Sequence, residues 1–490
     1  MVLFAQRVIL THTKLMFRRG LWLKTFTLVA VEAGIILTVV LLSLYLRFPQ
    51  RYGSVLFDQR GIYKVALTTF ICQFIFYLFD LYDVSKPRLR RELLTDLFQA
   101  VGATMLALGA IFLLRPTLVL GYLQEIEGEG AVRYGSGVPV IAMVLALALM
   151  ICWRLTIHWL MRNPRLGERL LIVGTDGLAI EVAREAMERR DLGYKIVGFI
   201  AEDPRLVGQT VLNPRVLGVA GDLSRIVEEE GVDRVVVALQ DRRGHMPVDQ
   251  LLKIRLQGGA AIEEGTSLYE RLTGKISIEM LRPSWLIFSG GGKRSLVWNA
   301  VRRVFNFTLA LIAVLVSLPV AILAAMAIKL ESPGPVFYTQ ERVGKNGRTF
   351  KIIKFRSMRQ DAEKDGAPQW AAERDPRITR AGHLIRKTRI DEIPQFINIL
   401  RGEMSFVGPR AERPFFVEQL TEKIPFYSQR HLVEPGLTGW AQVMYGYGSS
   451  VEDAIEKLQF DLYYIKNVSL LFDIWIIFKT IKIVLFGYGR

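Results

Sequence analysis

Two cysteines, Cys72 and Cys152, are the only thiols in a chain of 490 residues, and both lie inside apolar runs. That excludes a disulfide framework and a cysteine-built metal site. The five histidines are scattered without metal-like spacing. Acidic residues are outnumbered, 47 Asp and Glu against 63 Lys and Arg, for a formal charge of +16. Such an excess suits either nucleic acid or an anionic membrane surface. No RRM, zinc-finger or helix-turn-helix pattern accompanies it, so no nucleic-acid partner is expected. A small-residue cleavage site before the first apolar run is missing too, and the basic N-terminus reads as an uncleaved anchor.

What the chain has in quantity is apolar length. Hydrophobic residues make up 51% of it and the mean hydropathy is +0.27, the balance of a membrane protein. Four apolar segments come first: Thr27 to Leu46, Ile62 to Leu81, Phe98 to Leu120 and Val138 to Leu160. Each is about long enough to cross a ~30 Å hydrocarbon core. Arg7, Lys14, Arg18, Arg19 and Lys24 precede the first. Lys86, Arg88, Arg90 and Arg91 fill the second loop, and Arg162, Arg165 and Arg169 follow the fourth span. The third loop instead carries Glu125, Glu127 and Glu129, while Arg47, Arg51, Arg60 and Lys64 in the first weaken the asymmetry without reversing it. By the positive-inside rule both ends of the bundle face the cytoplasm, where the basic excess meets membrane lipids.

From about Glu168 to Leu281 strand-like and helix-like patterns alternate. Arg169 to Gly174, Tyr194 to Ile200 and Asp233 to Leu239 read as buried parallel strands, with helices over Gly177 to Arg190 and Asp222 to Glu230, which predicts a doubly wound α/β domain. A Gly-rich basic segment, Arg282 to Arg294, reads as a linker. A fifth apolar stretch runs from Val304 to Leu330, with Ser317 and Pro319 marking a helix break in its middle and basic residues on both flanks. Two readings are open: a helix that enters one leaflet and returns, or an ordinary kinked span. Near the C-terminus, Val468 to Gly487 is apolar but interrupted by Asp473, Lys479 and Lys482. It suits an interfacial helix or, nearly as well, a buried core helix.

The chemistry-bearing residues gather between Asp375 and Arg413, where the adjacent carboxylates Asp391 and Glu392 sit among Arg386, Lys387, Arg389 and Arg410. Cations of this kind hold a phosphate while an ionised carboxylate attacks it or holds a metal. Pro394 predicts a helix from about Glu392 to Leu400 that leaves Asp391 at its N-cap; on its own an Asp there is merely a cap. Neighbouring helical positions point about 100° apart, so the two carboxylates divide the work. Glu341 to Arg359 reads as a hairpin turning at Gly344 to Gly347, with Lys351, Lys354, Arg356 and Arg359 as a basic array; a solvated strand face explains those residues about as well. Phe406 to Arg413 holds a Gly-Pro turn presenting Arg410, and the Gly-rich run Glu434 to Trp440 can bring backbone N–H groups to an anion.

KFRSM at Lys354 to Met358, DPRITRAG at Asp375 to Gly382, RKTRIDEIPQFINIL at Arg386 to Leu400, GEMSFVGPR at Gly402 to Arg410, PGLTGWAQV at Pro435 to Val443 and DLYYIKNVSLLFDIWI from Asp461 together resemble the bacterial sugar transferase family. The whole layout is similar to the large polyprenyl glycosylphosphotransferases of exopolysaccharide synthesis. What the resemblance implies is a membrane α/β protein in four parts. They are a transmembrane four-helix bundle (1–165), a Rossmann-like regulatory or dimerising α/β domain (166–282), a linker (283–298) and a monotopic α+β catalytic domain (299–490) whose membrane helix, 304–330, is re-entrant. The implied activity is transfer of a sugar 1-phosphate from a UDP-sugar to undecaprenyl phosphate on the cytoplasmic face of the bacterial inner membrane. Asp391 is then the nucleophile, Glu392 with Asp391 holds Mg²⁺, and Lys354, Arg356, Arg386 and Arg410 bind phosphate oxygens. A nucleotide-activated donor exists only in the cytoplasm, which favours the re-entrant reading, and a homodimer is expected. Where many members of the family read PRPE, this chain has Pro409-Arg410-Ala411-Glu412.

Two other readings compete. A membrane-anchored NAD-dependent dehydratase or epimerase needs a full Gly-rich dinucleotide loop, but the turn here is only Gly174 to Gly177, and the sole Tyr-x-x-x-Lys pair is Tyr82 with Lys86. A non-enzymatic scaffold of a polysaccharide assembly complex has no need to keep carboxylates and arginines together.

Overall fold

The computed structural model describes residues 21–47, 49–50, 52–57, 61–79, 81–82, 90–115, 137–162, 168–189, 193–239, 246–279, 281, 295–359, 377–446, 448 and 450–486. The basic residues up to Arg19, the loop with Lys86 and Arg88, the acidic loop at 125–129 and most of the 283–298 linker lie outside them. The chain divides into two compact units, Met1–Leu272 and Thr273–Arg490.

The first unit opens with helices Leu21–Arg47, Tyr52–Phe57, Gly61–Leu78, Arg90–Leu114 and Gly137–Arg162. Within them Leu28–Leu46, Gly61–Leu78 and Leu94–Ile111 are each long and apolar enough to cross a membrane, and Val144–Thr156 is a shorter apolar run. The third span thus lies N-terminal to the expected 98–120. Its helix stops at Leu114, in keeping with Pro116 just beyond, because the residue before a proline disfavours helical backbone. Ile36, Val39, Leu44, Phe76, Leu97 and Met150 form the core of the bundle. In it lies a charge pair the sequence reading did not anticipate. The Arg154 guanidinium donates to Glu32 at 3.0 Å and to the Leu81 carbonyl at 2.7 Å, with Glu32 fully buried.

Five parallel strands follow: β1 Glu168–Val173, β2 Tyr194–Ala201, β3 Val216–Val219, β4 Arg234–Val237 and β5 Ala261–Glu264, in the order β3-β2-β1-β4-β5. Helices Gly177–Glu188, Leu223–Glu229 and Val248–Gln257 lie between strands, and Gly265–Thr273 follows β5. The strand order reverses at β1, the switch point of a doubly wound sheet. The inner strands β1 and β4 carry the buried apolar runs that mark parallel strands in sequence. The edge strands β3 and β5 are four residues each and too short to register as periodic.

The second unit begins ten residues before the expected boundary. Ile276 and Ile278 pack with Leu420, Ile424, Tyr427, Leu458 and Leu462, and the Trp440 indole donates to the Gly274 carbonyl at 2.7 Å. A 36-residue helix, Leu296–Glu331, comes next, opened by Ser295, whose hydroxyl accepts from the Trp298 N–H. It continues through Ser317 and Pro319, so the expected break does not interrupt the helix. Pro319 still deprives the Leu315 carbonyl of its usual donor. The helix's buried residues are Arg302, Asn306 and Ala310 at one end and Ala324 and Ile328 at the other.

Strands β6 Phe337–Val343 and β7 Thr349–Phe355 form the expected antiparallel hairpin, turning through Asn346 and Gly347, both at positive φ. Helices Arg380–Lys387 and Gln395–Arg401 flank a single 3-10 turn, Ile390–Glu392. The short parallel pair β8 Ser405–Val407 and β9 Gly436–Thr438 lies against the final helix, Leu470–Phe486. That helix is partly core: Asp473 and Ile476 are buried while Leu471 and Phe478 are exposed.

Candidate active site

Asp391 and Glu392 occupy the 3-10 turn rather than the first turn of a helix, and the helix after Pro394 starts at Gln395. Arg389 enters the turn at φ +55°, reversing the chain after the helix that ends at Lys387. Strand β7 is tied to this region by Asn398, which is fully buried. Its amide donates to the Lys351 carbonyl at 2.8 Å and accepts from the Ile353 N–H at 3.1 Å. One side chain thus satisfies the free edge of the hairpin and brings Lys354 to the carboxylates.

Glu392 is nearly buried and surrounded by cations. Its Oε1 lies 3.1 Å from Arg410 Nη2 and 3.8 Å from Lys354 Nζ, and its Oε2 lies 3.6 Å from Arg389 Nη1. Burial alone pushes its carboxyl up, but Arg410, Lys354 and Arg389 outweigh that and hold it at about 2. Asp391 goes the other way: burial and then the Glu392 charge raise it, against the opposing fields of Lys354, Arg386 and Arg410. The Lys354 ammonium is held below its ordinary range by burial, against the pull of Glu392. Neighbouring carboxyls pushed apart in this way take different roles. Glu392 is the permanently charged anchor of the cations. Asp391 has no hydrogen bond or ion pair of its own among the described residues, which leaves it available to react.

The loop Val407–Ala411, which presents Arg410, is fixed through its backbone. The Gly408 N–H donates to Thr438 O and the Gly436 N–H to Pro409 O, both at 2.9 Å. A Cβ at Gly436 or Gly439 would collide with the Gly408 backbone, so the two Gly-rich turns approach as closely as they do only as glycines. Of the run Glu434 to Trp440, the Gly436 N–H is thus spent clasping the two turns together and is not offered to an anion. Ala411 is buried, and its carbonyl accepts from Arg342 at 3.0 Å.

Four of the six expected site residues gather at this place directly, Asp391, Glu392, Lys354 and Arg410, and Arg386 contributes to the field at Asp391. Arg356 does not join them. Its guanidinium is buried and donates to the Ser332 and Pro333 carbonyls, each at 2.8 Å, bracing the end of the long helix. Strand β7 ends at Phe355, so Arg356 lies outside the alternation that would have put it on the face of Lys354. Arg342, Asn398 and Arg430 are the residues sequence reasoning passed over. Each acts on backbone far along the chain, and no local pattern announces that.

Among the described residues no group of three or more His, Cys, Asp or Glu side chains gathers at one point. Two adjacent carboxylates still fit Mg²⁺, which commonly takes one or two protein carboxylates and fills its shell with water and substrate phosphates.

Residues 297–487 match the model of the family described as Bacterial sugar transferase, and residues 77–254 match one described as CoA-binding domain. The chain is 48% identical over 220 residues to the UDP-N-acetylgalactosamine-undecaprenyl-phosphate N-acetylgalactosaminephosphotransferase of Aeromonas hydrophila, covering 45% of this chain and 51% of that protein. It spans about half the length of that relative. Identity to the UDP-glucose:undecaprenyl-phosphate glucose-1-phosphate transferase of Escherichia coli (strain K12) is 34%, over 67% of this chain and 70% of that one. The protein of the same name from Xanthomonas campestris pv. campestris is 30% identical over 85% of this chain and 86% of its own length. With the carboxylate pair Asp391 and Glu392 inside the matched segment and relatives that extend over most of both chains, the protein belongs to the bacterial sugar transferase family.

Proposed function

We propose that this protein transfers a sugar 1-phosphate from a UDP-sugar to undecaprenyl phosphate, through a covalent phosphosugar on Asp391. The observation that carries the reading is the divided carboxylate pair: Glu392 lies within 3.1–3.8 Å of three cations, while Asp391, in the fields of Lys354, Arg386 and Arg410, has no side-chain hydrogen bond or ion pair among the described residues. The Asp391 carboxylate attacks the phosphorus bearing the sugar, an acyl-phosphate bond forms, and the bond to UMP breaks. An oxygen of undecaprenyl phosphate then attacks the same phosphorus and expels the carboxylate, giving the lipid diphosphosugar. Lys354, Arg386 and Arg410 hold the phosphate oxygens through both steps. Mg²⁺ held by Glu392 and Asp391 would offset diphosphate charge.

The membrane side of the reading rests on the long helix. Its buried residues lie at both ends, within one compact unit, while Leu315, Val316, Leu318 and Leu323 between them are at least half exposed. The helix Leu296–Glu331 as a whole is long and apolar enough to cross a membrane, but the buried residues of both its ends belong to the same compact unit. That favours a helix dipping into one leaflet, with both ends and the site on the cytoplasmic face. A lipid phosphate and a soluble nucleotide then meet at headgroup depth. The product would be the first lipid-linked sugar of an exopolysaccharide or O-antigen-type glycan.

The test is a single-substrate reaction. Purified enzyme given UDP-sugar without lipid should release about one equivalent of UMP and acquire the sugar phosphate, and Asp391→Asn should do neither. Turnover undiminished in Asp391→Asn would end the two-step scheme. The dehydratase reading fares worse on geometry, since Tyr82 is buried in the N-terminal bundle.

A further inference from the structure

The loop that presents Arg410 is held by guanidinium groups that no motif of the site contains. Val407 O accepts from Arg302 at 2.9 Å, Arg410 O from Arg430 at 3.1 Å, and Ala411 O from Arg342 at 3.0 Å. Arg430 is the one bonded to the very residue that reaches Glu392. It is 6% exposed, too deep to touch a soluble donor itself. Its own geometry is fixed on two further sides. Nη2 also donates to Asp461 Oδ2 at 2.9 Å, Nη1 donates to the Tyr427 hydroxyl, and Asp461 is 1% exposed. A buried guanidinium with a buried counter-ion and a hydroxyl acceptor has little freedom left, and the carbonyl it grips inherits that rigidity.

We propose that Arg430, clamped by Asp461 and Tyr427, is a positioning residue that sets Arg410 for the donor's phosphates. Arg430 makes no contact with the donor. Its effect reaches substrate only through the Arg410 backbone, so it depends on Arg410 being present. This inference rests on the reading of Arg410 as a phosphate contact, and the two fail differently.

The test titrates UDP with Mg²⁺ into the full-length protein in lipid nanodiscs, with melting temperature recorded alongside. Arg410→Ala should weaken UDP binding about tenfold, the loss expected of one charge-assisted contact. Arg430→Gln should weaken it by a similar factor, and Arg430→Lys, which can still donate to the carbonyl, should recover most of the loss. Added to Arg410→Ala, Arg430→Gln should cost less than about twofold more, since coupled residues are not additive. Arg430→Gln strands a buried carboxylate, so the neutral pair Arg430→Met with Asp461→Leu serves as the folded control. It should melt near the wild type yet bind UDP as weakly as Arg430→Gln. Unchanged UDP affinity in that pair, or full additivity with Arg410→Ala, overturns the positioning role and leaves the Arg410 reading intact. UDP affinity indifferent to Arg410→Ala, or no UDP binding by the wild type, overturns the reading and the inference with it.

Discussion

Asp391 and Glu392 are neighbours with opposite electrostatic fates: Arg410, Lys354 and Arg389 hold Glu392 low, while burial and then the Glu392 charge raise Asp391. The same discrimination separates Lys354 from Arg356, two residues apart on a basic strand that looked uniform. Lys354→Met should weaken UDP binding about tenfold while leaving the fold intact. Arg356→Met should leave that affinity within twofold and lower the melting temperature instead, because it strands the Ser332 and Pro333 carbonyls. Equal losses of affinity in both variants would return Arg356 to the site. His431 adds a pH dependence. Burial, and after it the charge of Arg430, depresses its imidazole to about 4. The folded state keeps it neutral while the unfolded chain protonates it near the ordinary value. Its contribution to stability is therefore complete above about pH 6.5 and is lost as pH falls toward 4. The wild type should lose up to about 1.4 kcal/mol per pH unit in that window from this group alone. Melting curves at pH 7 and pH 5 should show a smaller drop for His431→Gln, and an equal drop would rule the imidazole out.

At the scale of elements, the apolar periodicities were legible in the sequence. The hairpin, the central strands and the membrane helices follow from patterns that act over a few residues, and each formed close to its expected place. What failed were ends and short pieces. The four-residue strands β3 and β5 exist because neighbours in the sheet supply their hydrogen bonds, which no local pattern encodes. The long helix carries the consequence for the membrane. Single cysteines at Val297 and Leu330, placed in a chain whose Cys72 and Cys152 are replaced, should both react with an impermeant maleimide from the cytoplasmic side of inverted vesicles. Val297 is 72% and Leu330 89% exposed, so access is not limited by packing. Labelling of the two from opposite sides would mean a span, and the dipping helix would have to be given up.

For the whole molecule, the boundary between units is set by packing. Composition placed it at the Gly-rich linker, but Ile276 and Ile278 already belong to the second unit's core. A chain beginning at Thr273 should therefore be more stable than one beginning at residue 283. The margin should be several kcal/mol, since each buried isoleucine contributes about 1.5–3 kcal/mol and the Trp440 bond to Gly274 adds to it. Comparing their chemical denaturation midpoints decides the point, and identical midpoints would restore the linker as the boundary.

By itself the sequence determined that this is a membrane protein with an α/β domain, and that it carries an adjacent carboxylate pair, Asp391 and Glu392, with cations around it. Those features rest on residue type and on spacings short enough for local geometry to act. Only the tertiary structure decided which cation serves the site and which braces the scaffold. Arg302 meets Asp473 across 171 residues of chain and Arg430 meets Asp461 across 31. A buried guanidinium must find its acceptors wherever the folded core brings them, and that depends on every segment that packs around it.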